Sequence, residues 1–425
     1  MPSLSSQSIS AIQASLDAAT ANPKSGLHGV VFVAVDKNGN ELAKATSGTR
    51  APDGEGGPMT PETVFWIASC TKMITGIAAL QLVEQGKLSL DDPESTYKLA
   101  PELRDVKVLA EDGTLVERKG DITLRKLLSH TAGFGYEFMN HRIMKYGRSG
   151  GLGVPAAGFD VLQGDERDIV LQPLANQPDT MFEYGINIDW AGILVERASG
   201  LRLGAYFEKH IFAPLGLKHI AMFPTEEMRK HVATMAQRAA DGTIAPRDHM
   251  YRRALAAQTK EEQDRIFHSG GAGAFARPSD YAQILATLLN AGTSPRTGAQ
   301  ILQPSTVDLM FTNQVPQWPD FARAPPGAPP PSKPEYMNPA PEFYPQEGNP
   351  PQGWGLTFML TLAPGATGRG ASTAWWAGIS NQFWWCDREK GVAGMIAGQV
   401  LPFGDVPVLT QWLTCEKHVY DGLQA

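Results

Sequence analysis

Apolar positions along the chain change period several times, and each change marks an element. SISAIQASLDAA (8–19) carries apolar residues at helical spacing and predicts an amphipathic opening helix. HGVVFVAV (28–35) is β-branched and apolar, DKNGNE (36–41) follows, and LAKATSG (42–48) resumes the strand signal. Asn-Gly between two such runs predicts a hairpin, because the turn needs residues that tolerate positive φ. VFWIA (64–68) reads as a strand and leads into a long apolar helix that stops at Gly86. The next stretch, KLSLDDPESTYKLAPEL (87–103), is polar and turn-rich. Residues 121–290 read as mainly helical: TLRKLLSH, IDWAGILVERASG and SDYAQILATLLNAG each carry a 3.6-residue stripe and end at His or Gly.

From Pro316 to Pro351, 13 of 36 residues are proline, which excludes both helix and central strand. This insertion is expected as an extended surface excursion. Strand signals return in WGLTFMLTL, AWWAGISNQFWWC and GVAGMIAGQV, the last two joined by DREKG. VPVLTQWLTCEKHVYDGL (406–423) closes the chain as a helix. Strands at both ends join one sheet only if the helical middle is an insertion forming its own lobe. The expected fold class is therefore α/β (α+β): an antiparallel sheet flanked by terminal helices, plus a mainly helical lobe. The whole chain, 1–425, is read as one catalytic domain. Its α/β lobe spans about 1–65 and 291–425, its helical lobe about 66–290, and a cleft between the lobes is the natural place for a site.

Composition narrows the function. Hydrophobic residues make up 42% and charged residues 19%, as in ordinary globular proteins, and 44 acids against 37 bases leave a net charge of −7 without long runs of one sign. No phosphate-binding surface is implied, so nucleic acid is excluded as a partner. No polybasic anchor or membrane-length apolar run is present, and no basic leader precedes an apolar stretch. Cys70, Cys386 and Cys415 are too few and too far apart for a disulfide scaffold or a zinc site, which points to a reducing compartment, the cytoplasm. The nine histidines form no His-Glu-x-x-His, and no Gly-x-Ser-x-Gly elbow occurs, so neither a metallohydrolase nor an α/β-hydrolase is supported and no metal or cofactor is expected.

The chemistry gathers at Ser69-Cys-Thr-Lys72, where a helix begins. Residues i and i+3 share a helix face, so Lys72 can reach the Ser69 hydroxyl, and the helix N-terminus aims N–H groups at an oxyanion forming nearby. A lysine desolvated there has a lowered pKa and can take the serine proton. On the motif alone a second reading stands beside this one, with Ser69 as an N-cap and Lys72 in solvent. A second match, Ser95-Thr-Tyr-Lys98, lies in the polar segment with no apolar helix to fix it. Cys70 is turned about 100° around the helix from Ser69 and is expected to be packed and inert. Tyr184, just before a helix in FEYGINIDWAG, is the candidate third group, its phenol made more acidic by the neighbouring lysine.

With Ser69-Cys-Thr-Lys72, GKLSLDDP (86–93), ITLRKLLSHTAGF (122–134), Tyr184-Gly-Ile-Asn187, PLGL (214–217), SGGAGAFARPSDY (269–281) and Trp376-Ala-Gly378-Ile379-Ser-Asn381 in order, the chain resembles the serine β-lactamase and D-Ala-D-Ala peptidase superfamily. The branch it looks most like is the class C-like esterases and transesterases, with the fungal lovastatin-pathway acyltransferases and family VIII carboxylesterases. The resemblance implies Ser69 as the acylated nucleophile, Lys72 and Tyr184 as its base pair, and an oxyanion hole from the backbone N–H groups of Ser69 and Ile379. This constellation would do the work of a Ser-His-Asp triad with different parts. Trp376 and Gly378 would lie on the strand walling the cleft.

Two departures bear on substrate. Family β-lactamases usually carry Tyr-x-Asn, but here Ile186 takes the third place and Asn187 follows; where their third motif begins with lysine, this chain has Trp376. Fewer polar groups for a small anionic lactam, and Trp375, Trp376, Trp384 and Trp385 nearby in sequence, favour esters with apolar acyl or alcohol groups. Tyr136, Asn187, Trp354, Trp376 and Gly378 are expected to line the substrate pocket, while His130 is expected to end a helix and satisfy its carbonyls. The expected function is a serine ester hydrolase. The alternative is an acyltransferase passing the acyl group from an ester or thioester, on coenzyme A or an acyl-carrier protein, to an alcohol of a secondary metabolite. β-Lactam hydrolysis or a non-catalytic binding role is subordinate.

Overall fold

The computed structural model describes residues 3–22, 26–149, 158–324, 327–339 and 342–424. Its centre is a seven-stranded antiparallel sheet. Strands β1 (Gly29–Asp36) and β2 (Glu41–Gly48) form the N-terminal hairpin, with Gly39 at φ 78° in its turn and the Asp36 carboxylate accepting the backbone N–H groups of Asn38 and Asn40. Strands β3 (Gln352–Trp354), β4 (Met359–Thr361), β5 (Thr373–Gly378), β6 (Gln382–Asp387) and β7 (Val392–Ala397) come from the C-terminal part. The order across the sheet is β3-β4-β5-β6-β7-β1-β2, so β7 joins the two ends of the chain through pairs such as Met395 with Val33.

The strands read as continuous apolar runs because both faces of the sheet are covered. Successive side chains point to opposite faces. Val30, Phe32 and Ala34 pack with Ile12 and Leu16 of helix α1 (Ser6–Thr20) and with Val408, Trp412 and Val419 of the C-terminal helix, Val406–Gly422. Val31, Val33 and Val35 belong to the core on the other face, with Leu80, Leu285 and Leu288. The helix Pro278–Leu289, expected in the helical lobe, lies on this face of the sheet: Cys386 Sγ on β6 contacts the Leu285 carbonyl, and Gln283 Nε2 donates to the Gly39 carbonyl. Its apolar stripe needs a large flat partner, which the sheet supplies.

Helix α2 (Thr71–Glu84) is buried from Thr71 through Leu82, as expected of a helix apolar on all sides. It packs on helix α3 (Asn187–Ser199), which ends at Gly200 in the left-handed conformation that lets a helix stop there. Three expectations differ. WGLTFMLTL is not one strand: it folds back at Thr357, whose φ is 85°, into β3 and β4. The polar segment holds a short helix, Pro93–Leu99, capped by the Asp92 carboxylate with proline in its first turn. The proline-rich insertion is more than a surface excursion, since Phe321 meets Phe182 with ring centres 4.4 Å apart and Tyr336 packs on Phe138 at 6.2 Å. Positions 325–326 and 340–341 of it lie outside the described residues. Among the described residues no helix is long and apolar enough to cross a membrane.

Candidate active site

The short strand Phe65–Trp66 pairs with Phe275–Ala276 and delivers the chain into a single 3-10 turn, Ala68–Cys70, from which α2 rises. Ala68 has φ 42°, a left-handed conformation that costs a non-glycine residue of order 1 kcal/mol and is tolerated where packing holds it. It sits fully buried, and Ser69 follows it, partly exposed at the base of the cleft. Three residues on, Lys72 is wholly buried, and its Nζ donates to Ser69 Oγ at 3.0 Å, Tyr136 OH at 3.0 Å and the Gly271 carbonyl at 2.9 Å. The side chain is therefore held by three fixed acceptors and cannot swing to solvent.

Burial pulls the Lys72 pKa from 10.5 down to about 7; the Asp189 carboxylate and Cys70 oppose that pull without cancelling it. The expectation for Tyr184 is reversed. Burial holds its phenol above the ordinary range, and hydrogen bonds with Ser69 and the Trp376 indole only moderate the rise. Tyr184 is a neutral phenol whose oxygen accepts Trp376 Nε1–H at 3.1 Å and whose ring centre lies 4.8 Å from Lys72 Nζ. Lysine is the basic member of this group.

Tyr136, expected in the pocket wall, does line the cavity at Ser69, but its hydroxyl is also a direct partner of Lys72. That cavity is small, about 20 Å³, with Phe138, Val161, Leu162 and Ile379 on its apolar side and Ser69, Asp189 and Ser269 on its polar side. A larger surface hollow lined by Asp91, Arg125, Lys126 and Asp179 has these charges paired with one another, Arg125 with Asp91 and Lys126 with Asp179, and its Ser129 hydroxyl donates to the Arg125 carbonyl.

Three residues expected to touch substrate serve as framework instead. Gly378 lets β5 pass against the nucleophile turn: a Cβ there would lie 2.6 Å from the Ile67 carbonyl oxygen. Asn187 is fully buried, with its amide NH₂ directed to His130 Nδ1, the Phe134 carbonyl and the Glu183 carbonyl. Trp354 is fully buried, donates to the Leu128 carbonyl and backs Trp376 edge-on at 4.7 Å. His130 ends the helix Leu124–Leu128 as expected, with φ 56° and its N–H on the Leu127 carbonyl, and its Nδ1 also meets the Gly185 N–H and the Asn187 amide, which fixes the turn carrying Tyr184. Cys70 is buried, and desolvation raises its thiol pKa, which leaves it inert. At the other Ser-x-x-Lys, Lys98 is exposed and Ser95 only continues a surface helix.

The sequence does not mark Asp189 and Ser269, which stand on the polar side of the cavity, or Phe138, Val161 and Leu162, which form its apolar side. The glycine cluster at 269–273 was the available signal, since glycines in series mark close backbone approach. A Cβ on Gly271 would lie 2.5 Å from Asp189 Oδ2.

With this geometry in view, the class is defined: residues 11–408 match the Beta-lactamase family model, and the chain belongs to that family. Among individual relatives, it is 31% identical to the lovastatin esterase of Penicillium rubens, over 88% of this chain and 90% of that protein. It is 29% identical to acyltransferase calJ of Penicillium decumbens, over 92% and 93%. Monacolin J acid methylbutanoyltransferase of Aspergillus terreus is 37% identical, but the match spans 60% of this chain and 58% of that protein. The unliganded structure of simvastatin synthase from A. terreus superposes with a TM-score of 0.78 at 28% identity, covering 98% of each chain.

Proposed function

We propose that this protein is a serine ester hydrolase that works through an acyl-enzyme on Ser69. The observation that carries this reading is the buried Lys72, 3.0 Å from Ser69 Oγ, with its pKa brought down to about 7 by desolvation. A neutral amine at that position takes the proton as Ser69 Oγ bonds to the ester carbonyl carbon. The oxyanion forms between the backbone N–H groups of Ser69 and Ile379, both at the wall of the same cavity. As the intermediate collapses, the proton passes from Lys72 through the Tyr184 hydroxyl to the departing alkoxide. Water then attacks the acyl carbon, and the same groups run in reverse.

The second reading, acyl transfer, shares the first half of this cycle and differs in the acceptor: an alcohol of a secondary metabolite replaces water. The full-length likeness to acyltransferase calJ favours it, and the acyl donor would then be an ester or a thioester on coenzyme A or a carrier protein. β-Lactam hydrolysis is disfavoured, because the Asn187 amide is spent on framework contacts and Trp376 occupies the place of a cation. The apolar side chains beside Ser69 favour esters with apolar acyl groups, and three buried free thiols suit a cytoplasmic protein. The deciding experiment supplies a p-nitrophenyl ester with and without an alcohol acceptor and measures ester product against free acid. Free acid as the main product supports hydrolysis, ester product establishes transfer, and p-nitrophenol release that persists in Ser69→Ala contradicts both.

A further inference from the structure

Beside Lys72, in the wall of the same cavity as Ser69, the structure holds a carboxylate that no step above uses. Asp189 sits in the first turn of α3 and is 2% exposed. Its Oδ1 accepts Ser269 Oγ–H at 2.5 Å and the Gly271 N–H at 3.0 Å. Ser269 Oγ in turn accepts the Ala272 N–H at 2.9 Å, and the carbonyl of that same peptide, Gly271 O, accepts Lys72 Nζ at 2.9 Å. A continuous path of charge-assisted hydrogen bonds therefore runs from the carboxylate through one hydroxyl and one peptide to the ammonium. Such chains polarise each member, making the Gly271 oxygen a stronger acceptor than an isolated peptide.

We propose that Asp189, acting through Ser269 and the Gly271–Ala272 peptide, is a positioning residue that fixes Lys72 beside Ser69 and sets its basicity. The inference rests on the acyl-enzyme reading for its catalytic meaning, though not for its physical content. The groups facing Lys72 are Ser69 and Cys70 on its own turn, His130 and Tyr136 on the segment after the helix Leu124–Leu128, Tyr184 before α3, and the Asp189 carboxylate. Of these, Cys70, Tyr136 and Tyr184 are held protonated and His130 neutral by burial, so the charge opposing the desolvation of Lys72 is that of Asp189. Burial pushes the Asp189 carboxyl upward as well, and the charge of Lys72 with the hydrogen bonds from Ser269 and Gly271 opposes that rise without cancelling it. The arrangement also explains the glycine at 271, where any side chain would strike the carboxylate.

The informative variant is Asp189→Asn, which retains an oxygen for Ser269 and Gly271 but removes the charge. Loss of a nearby anion destabilises the ammonium, so the Lys72 pKa must fall. Selective ¹³C labelling of lysine, with Lys72 assigned by its absence in Lys72→Arg, reads that titration directly by NMR and requires no turnover. The expected midpoint drops by about one pH unit or more in Asp189→Asn, the range for an opposite charge in close contact. In esterase assays the acid limb of kcat/KM moves down by the same amount, and the plateau falls about tenfold because a weaker base is left. Ser269→Ala keeps the charge but breaks the path, and is expected to lower kcat severalfold with the acid limb in place. A Lys72 midpoint unchanged in Asp189→Asn, or undiminished kcat in Ser269→Ala, overturns the proposal. Absence of Ser69-dependent ester cleavage in the unmodified protein, with the NMR shift intact, removes the acyl-enzyme reading and leaves the coupling standing. If Asp189→Asn does not fold, Asp189→Glu takes its place: the charge is kept, so a midpoint near that of the unmodified protein is expected, and a fall of a unit overturns the proposal.

Discussion

The pH dependence of the acylation step follows from the burial of one side chain. Lys72 titrates near 7 instead of 10.5. At about 1.4 kcal/mol per pH unit, this corresponds to about 5 kcal/mol of destabilisation of the charged form relative to the neutral one. At pH 8 about nine tenths of the molecules then hold a neutral amine, against about 0.3% for a solvated lysine, a gain of about 300-fold in competent base. kcat/KM for a p-nitrophenyl ester, measured from pH 5.5 to 9, is expected to rise tenfold per unit at low pH, bend near 7 and level above 8. Lys72→Arg keeps the hydrogen-bonding charge but cannot lose it in this range, so its activity is expected to stay down by several orders of magnitude at every pH. A bend near 4–5 would assign the base to a carboxylate, and a rate still climbing tenfold per unit at pH 9 would mean an unperturbed lysine; either refutes the reasoning. The linked stability has a definite sign. The folded pKa lies below the unfolded one, so the native state binds fewer protons between about pH 7 and 10.5. The cost of burying the charge is complete below 7 and is relieved as pH rises through that window.

Other outcomes follow from neighbouring contacts. Tyr184→Phe removes the hydroxyl that relays the proton and is expected to lower kcat by about 10²–10⁴ with KM little changed, in steady-state ester assays. Trp376→Phe removes the indole N–H that donates to Tyr184 together with part of the ring packed on Trp354, so a loss of at least about tenfold is expected, the value of one hydrogen bond. Glu416→Gln breaks an ion pair with Arg369 in which both partners are fully buried. Leaving that guanidinium unpaired costs about 3–5 kcal/mol, or roughly 4 °C in Tm for a chain of this size, while Arg369→Met with Glu416→Leu should melt close to the unmodified protein. Cys70→Ala is expected to keep ester turnover within about twofold, and native Cys70 to resist thiol reagents.

The sheet, its terminal helices and the nucleophile turn were legible because each depends on a local pattern: alternating or continuous apolar strands, Asn38-Gly39, and Ser69 at the start of an apolar helix. The structure brings Ser69, Lys72 and the sequence-distant Tyr184 into contact. What was not legible depends on how distant segments meet. Asn187 looked available because its motif places an amide near Tyr184, but the fold turns it onto His130 and two carbonyls. The Tyr184 phenol rises above its ordinary range because burial dominates its surroundings, and the depth of that burial leaves no mark on the local sequence. Asp189 is one acid within an otherwise ordinary helix stripe, and only the approach of 269–272 from across the core gives it a task. The proline-rich insertion has no periodicity, so its aromatic contacts with Phe182 and Phe138 left no mark on the sequence.

The central claim is that acyl groups pass through Ser69. Brief incubation with a slowly deacylating p-nitrophenyl ester at pH 8, acid quench and peptide mass spectrometry test it most directly. The account predicts one acyl adduct per chain on Ser69, formed with a burst of p-nitrophenol and absent in Ser69→Ala. An adduct on Cys70 or Ser95, or full turnover in Ser69→Ala, would contradict it.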